Sequence, residues 1–300
     1  LQRYPEGKLR FEAHLVRADV AGAAGRLGDA VAFYQAALAA PDELMNIEFY
    51  NHCAFQAGRI LYDSGKFEEV RAHFAGYIRR NREGSNVPLA VYWTGKALFN
   101  LGEQAGAVRY YRDAVAEYGA DRKAAGVDLI LDEWVAATRR LSSNDAANAW
   151  AEMDAAWKRA AAGNDPVGRL RYQRVLLYRP GITPSVYNNL LSGLLQPENL
   201  AHASPAVMET MLDGARTRGQ TNLAMRVAEA VIADYTETDI ALDARMLLAR
   251  IAVDQARGTT AEEAKALLDA AVAHLNVIRT VFATSGEAAE ALLALGELHL

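Results

Sequence analysis

Two trios of residues carry the most pointed chemistry in this chain. Phe55, Arg59 and Tyr62 stand at i, i+4 and i+7, and Tyr92, Lys96 and Phe99 repeat the order of ring, cation, ring 37 residues on. On a helix that spacing puts each trio on one stripe, and Asn100 stands beside the second. Rings offer apolar area that is readily desolvated, and Arg or Lys fixes a carboxylate through charge-assisted hydrogen bonds. Stripes of this kind suit a peptide with acidic and apolar side chains. The plainer alternative is that the rings pack between helices while the cations reach solvent. One repeat earlier, Leu15 and Asp19 take the corresponding places, so the pattern is not continued there.

The other candidate constellations are weaker. His52, Cys53 and His73 could be imagined as a metal site, but zinc needs three or four convergent ligands and the six histidines are scattered, so these residues are expected to be structural. Asp128, Asp132 and Glu133 lie beside Trp134, close to Arg139 and Arg140, and are expected to form a solvated charged face rather than an acid–base pair. Six bases (Lys158, Arg159, Arg169, Arg171, Arg174, Arg179) surround one acid, Asp165, with Tyr172 and Tyr178 interleaved. They read either as a grip for an anionic partner or, the preferred expectation, as basic heads snorkelling off a helix surface. No GxxxxGK[ST], HExxH, GxSxG or GxGxxG motif occurs, so no catalytic, cofactor-binding or metal-binding residue is assigned.

Composition sets the scaffold. Of the 300 residues 51% are apolar, which is enough for a sizeable core, and 59 are alanine, the best helix former, with few β-branched or aromatic runs. An all-α chain is predicted. The net charge of −5 divides into 18 basic against 19 acidic residues in 1–150 and 14 against 18 in the remainder. Neither half is the polycation that coats nucleic acid. No apolar run reaches the length that spans a bilayer. Cys53 is the only cysteine, which excludes an intrachain disulfide and any CxxC site.

The elements that position the stripes repeat. "GRLGDAVAFYQAAL" from Gly25, "GKFEEVRAHFAGYI" from Gly65, "GEQAGAVRYYRDAV" from Gly102 and "GQTNLAMRVAEAVI" from Gly219 share a phase. Each has a short residue five after the Gly (Ala30, Val70, Ala107, Ala224), and three have a ring nine after it (Tyr34, Phe74, Tyr111), with Ala228 in the fourth. Seven before the Gly stands a small residue in three units (Ala18, Gly58, Gly95), and Leu212 in the fourth. This reads as helix, Gly-centred turn, helix, with small side chains allowing close approach and a ring filling the gap.

These features resemble the tetratricopeptide repeat, a helical hairpin with small residues at its eighth, twentieth and twenty-seventh positions. Residues 11–44, 51–84 and 88–121 match it well, 205–238 moderately, and 242–276 with an insertion around "ARGTTAEE". The resemblance implies a right-handed α-α superhelix of about seven hairpins. It also implies that the two trios and Asn100 occupy the first-helix positions that line the family's peptide-binding groove. The Lys and Asn arrangement of members that clamp chaperone tails is missing.

From Tyr4 to Ala18, Asn81 to Gly95, Tyr235 to Ala249 and Phe282 to Gly296 is 14 residues each time, and each interval opens on a linker, "YPEG", "NREG", "YTET" or "FATS". Such linkers resemble those of bacterial envelope repeat proteins, the outer-membrane assembly lipoproteins and Tol-Pal coordinators, which implies a periplasmic or envelope setting; a cytoplasmic one is the alternative. Residues 122–204 fit the repeat poorly but keep helical periodicity in "AGVDLILDEWVAATRRL" and "DAANAWAEMDAAWKRAAAG". Asp165-Pro166, Thr183-Pro184 and Ser204-Pro205 are helix-start signals, and Thr260 with Glu263 makes a capping box. An irregular joint is expected over 180–204.

The expectation is thus one solenoid over 1–300, with regular repeats in 1–121, irregular hairpins in 122–204 and repeats again in 205–300. Its two ends read as cuts through a longer array, with the next helix following Leu300. The function expected is a non-enzymatic scaffold or adaptor binding a protein or peptide on its groove. The alternative is the positioning arm of an enzyme, for example a cell-wall-active one, whose catalytic domain lies outside these residues.

Overall fold

The computed structural model describes residues 10–39, 46–81 and 84–298, and every regular element among them is a helix. In chain order they are α1 (Arg10–Ala23), α2 (Leu27–Leu38), α3 (Ile47–Asp63), α4 (Phe67–Arg80), α5 (Val87–Asn100), α6 (Gln104–Tyr118) and α7 (Ala125–Thr138). Then follow α8 (Ser143–Ala162), α9 (Pro166–Leu176), α10 (Pro184–Leu194), a 3-10 helix (Pro197–His202), α11 (Pro205–Thr217), α12 (Thr221–Asp234), α13 (Asp239–Ala256), α14 (Ala261–Val281) and α15 (Gly286–Leu298).

The four aligned glycines are where the hairpins turn. Gly25, Gly65, Gly102 and Gly219 have φ of 71°, 73°, 86° and 65°, the left-handed region that a Cβ disfavours and glycine enters freely. Each turn therefore closes an antiparallel pair: α1 on α2, α3 on α4, α5 on α6 and α11 on α12. The small-residue rule has an equally direct cause. A Cβ at Gly58 would fall inside the ring of Phe74, and one at Gly95 inside the ring of Tyr111, both rings being fully buried. In α11 and α12 the sizes are exchanged. Leu212 and Ala228 lie buried in the same core cluster, the large side chain now on the first helix and the small one on the second.

Successive hairpins meet where the second helix of one packs on the first helix of the next: α2 on α3, α4 on α5 and α12 on α13. α7 packs on both α5 and α6; a Cβ at Gly126 would come within 2.6 Å of the Leu89 backbone nitrogen, so glycine there lets α7 close onto the start of α5. The linkers behave as their spacing predicts: Asn81, Tyr235 and Phe282 are the C-cap residues of α4, α12 and α14. The fourth linker start, Tyr4, lies outside the described residues.

Of the predicted starts, the Asp165 side chain accepts from the Gly168 N–H, Thr183 accepts from the Val186 N–H, and Thr260 with Glu263 forms a complete capping box. Ser204 opens α11 without a side-chain cap bond. The stretch 180–204, expected to be an irregular joint, instead contains α10 and the 3-10 helix. The basic segment also departs from expectation. α9 is buried from Leu170 through Leu176, and Arg171 and Arg174 are 0% and 5% exposed, so these two guanidiniums are interior groups and do not snorkel to water.

The chain divides into two compact units, Leu1–Ala155 and Ala156–Leu300. The first holds the α1–α2, α3–α4 and α5–α6 hairpins with α7. The second holds α9 and α10, the α11–α12 and α13–α14 hairpins and α15, over a core centred on Leu194, Met208, Met211 and Val227.

Candidate functional site

One position recurs at the same register on the first helices of the first unit: Asp19 on α1, Arg59 on α3, Lys96 on α5 and Glu133 on α7, separated by 40, 37 and 37 residues. The structure treats the four charges differently. Asp19 is satisfied locally: the Tyr34 hydroxyl donates to its Oδ1 at 2.6 Å, and His52 Nε2 lies 3.2 Å from the same oxygen. Burial, then the bond to Asp19, pushes the Tyr34 phenol far above its ordinary value.

Lys96 is held on several sides. Its Nζ lies 5.1 Å from the Tyr92 ring centroid, 5.3 Å from that of Tyr62 and 5.6 Å from that of Trp93. It donates to the Tyr92 hydroxyl at 3.2 Å and pairs with Glu133 Oε1 at 3.2 Å. Burial works against this charge, but the bond to Tyr92 and the Glu133 carboxylate outweigh it, so the ammonium is held above the ordinary lysine value. The rings support one another edge to face, Tyr62 with Trp93 and Tyr92 with Trp93, each at 5.2 Å. Asn100 Nδ2 donates to the Tyr62 hydroxyl and to the Lys96 carbonyl, both at 2.9 Å.

Of the seven predicted groove residues, the structure brings four into this cluster: Tyr62, Tyr92, Lys96 and Asn100. Phe55 packs inside its own hairpin, 5.4 Å from the Phe74 ring and 5.2 Å from that of Tyr77. Phe99 lies under the Arg140 guanidinium at 5.2 Å. Arg59 is exposed and donates to Gln56 Oε1 at 2.9 Å; among the described residues it has no ion pair. Trp93 and Glu133 belong to the cluster without having been assigned to the groove. Trp93 sits one residue off the stripe and is reached from the neighbouring helix by Tyr62. Glu133 carried a usable signal, the 37-residue step that also links Arg59 to Lys96.

The repeat is tetratricopeptide-like. The likeness lies in the chain's own left-handed glycine turns, close helix approaches and hairpin pairing. No family model matches the sequence, and no curated protein does. Among solved structures, the TPR2AB domain of yeast Sti1 in complex with pHSP90 is similar over 98% of this chain and 100% of its own, at 15% identity and a TM-score of 0.35. A tetratricopeptide repeat protein from Parabacteroides merdae is similar over 87% and 98%, at 17% identity and 0.33. The Rap conjugation regulator of plasmid pLS20 with the Phr* peptide is similar over 90% and 74%, at 13% identity and 0.35.

The second unit has a counterpart to the stripe in Met246, Arg250 and Val253, beside a cavity of about 410 Å³ also lined by Leu275, Ala294 and Glu297. Its cation is paired with Glu290 at 3.6 Å. The histidine and cysteine candidates all have structural surroundings. His73 Nε2 lies 2.8 Å from the Ala54 carbonyl, His52 is on Asp19, and burial followed by the nearby Asp19 charge pushes the Cys53 thiol up to about 12. Among the described residues no group of three or more His, Cys, Asp or Glu could hold a metal ion. None of their helices is long and apolar enough to cross a membrane.

Proposed function

We propose that this chain is a non-enzymatic interaction scaffold that holds a protein or peptide segment on the first-helix face of its first unit, with Arg59 receiving a carboxylate of the partner. The supporting observation is the unequal treatment of the four charges at one register. Asp19 is hydrogen-bonded and Lys96 is paired with Glu133, whereas Arg59 between them is exposed and carries a guanidinium held only by a neutral amide. An exposed planar guanidinium, on the same helix stripe as the Tyr62 ring, suits the carboxylate of an acidic side chain. The repeat fold supports binding over catalysis, because stacked hairpins present an extended surface rather than a closed site. The linkers support an envelope setting, which fractionation of the native organism tests.

The decisive substitution is Arg59→Glu. Losing a charge-assisted pair and replacing it with repulsion weakens binding by about 10–100-fold. Affinity capture from the native organism followed by mass spectrometry identifies the partner with the wild-type chain, and the variant, its helical spectrum intact, loses it. An unchanged set of captured proteins sinks this reading.

A further inference from the structure

A second site lies among α2, α3 and α4, away from the residues of the Arg59 cluster. A cavity of about 500 Å³ is bounded by Leu38 and Gln35 of α2, Tyr50 and Ala54 of α3, and His73, Gly76, Tyr77, Arg79 and Arg80 of α4. Its volume falls in the range of small-ligand sites. Three features make it more than a crevice.

The first is charge. Arg79 and Arg80 both line the cavity and are exposed, and among the described residues neither has an ion-pair partner. The second is the floor. Gly76 stands in the interior of α4, where glycine costs about 1 kcal/mol relative to alanine. A Cβ there would meet nothing closer than the Arg79 guanidinium, 3.9 Å away, so close helix packing does not require the glycine. Its effect is to leave the floor open beneath that guanidinium. The third is the wall. Tyr50 and Tyr77, 7% and 4% exposed, stack with ring centroids 5.8 Å apart and planes 19° apart, and with Leu38 and Ala54 they make the inner, apolar end of the cavity.

The next repeat supplies a comparison within the molecule. Thirty-seven residues on, the equivalent groove of about 350 Å³ has Tyr110 for His73, Asp113 for Gly76, Ala114 for Tyr77 and Glu117 for Arg80. The fold accepts either sign at this position, so repeat packing does not dictate the two arginines. The helix C-terminus favours cations in its last turn, but that preference explains neither the open floor nor the aromatic wall.

We propose that the cavity between α2 and α4 binds an organic carboxylate carried on an apolar group, with Arg79 and Arg80 holding the carboxylate and the Tyr50–Tyr77 wall and Leu38 holding the stem. The chemistry is shared by a free small carboxylic acid and by a peptide C-terminus ending in an apolar residue. The site has no residue in common with the Arg59 face, so the two stand or fall separately.

Isothermal titration of the full chain with four probes tests it: N-acetyl-leucine, N-acetyl-leucinamide, a short peptide with a free C-terminal leucine, and inorganic phosphate. N-acetyl-leucine and the peptide are expected to bind, and the amide and phosphate not to. Tighter binding of the peptide than of N-acetyl-leucine assigns a chain terminus, and equal binding assigns a small acid; both support the site. Arg79→Glu combined with Arg80→Glu should lower the affinity by about tenfold or more. Gly76→Leu, which fills the floor with a better helix former, should abolish binding while the melting temperature holds or rises. Equal binding of the amide, phosphate binding as tightly as the organic acids, or unchanged affinity in both variants overturns the proposal.

Discussion

Glu133 and Lys96 approach to 3.2 Å with side chains 30% and 22% exposed, and three rings enclose the ammonium. Truncating the charge while keeping the stem, as in Lys96→Met, removes the cation–π contacts and leaves the carboxylate partly buried alone; the expected cost is about 1–2 kcal/mol, read as a shift in urea midpoint. A loss below about 0.3 kcal/mol would mean the cluster is only surface decoration. A neighbouring group makes the opposite prediction. The Tyr111 hydroxyl is buried with no hydrogen-bond partner among the described residues, and burial followed by the Glu133 charge pushes its phenol far above the ordinary value. Tyr111→Phe removes an unsatisfied polar atom while keeping the ring against Gly95, and should leave stability unchanged or raise it by up to about 1 kcal/mol. The stripe of ring, cation and ring was legible in the sequence, because period and residue type are local. The partner that neutralises Lys96 was legible only as a position, one 37-residue step on; that the two charges meet depends on the stacking of α7 on α5, which no local pattern encodes.

At the scale of helices, the same division holds. The hairpins could be read from glycines and small residues because each marks a steric necessity that few other residues satisfy: a positive φ at Gly65 and Gly102, a ring pressed onto Gly58 and Gly95. α9 could not be read that way, since nothing in "PVGRLRYQRVL" announces that a helix with three arginines is wrapped by neighbours from Leu170 to Leu176. Its burial is a property of the elements around it. The steric reading makes a sharp contrast between two helical glycines. Gly95→Ala gains helix propensity but drives a methyl into the Tyr111 ring, so overpacking wins and the net loss is about 1–2 kcal/mol. Gly106→Ala, whose nearest neighbour would be Glu103 Cβ at 3.7 Å, should gain about 0.5 kcal/mol. Chemical denaturation of the two variants beside the wild type checks the pair. Equal effects would remove the steric account of the repeat.

For the molecule as a whole, half-buried histidines contribute to the response to pH. His73 is lowered by burial, partly offset by its bond to the Ala54 carbonyl. Burial also lowers His14, together with Arg10 and Arg17, and lowers His274, together with Arg245 and against Glu229. A histidine in the unfolded chain titrates near about 6.5. Below that value the unfolded chain takes up a proton that the folded chain refuses until its lower pKa is reached, so the unfolded state gains on acidification. The stability these groups contribute is therefore complete above about pH 7 and declines as pH falls through 6.5 toward the folded values. Asp243, raised by burial and then by Glu287 and Asp213, acts in the opposite sense, and is common to any pair of variants that leaves it untouched. The discriminating comparison is thus wild type against His73→Gln, whose amide can still donate to the Ala54 carbonyl but takes no proton. Between pH 7 and 5.5 the wild type should lose stability more steeply, by up to about 1.4 kcal/mol per pH unit for the one group removed. Parallel stability curves would show that His73 takes up its proton as readily in the folded hairpin as in the unfolded chain.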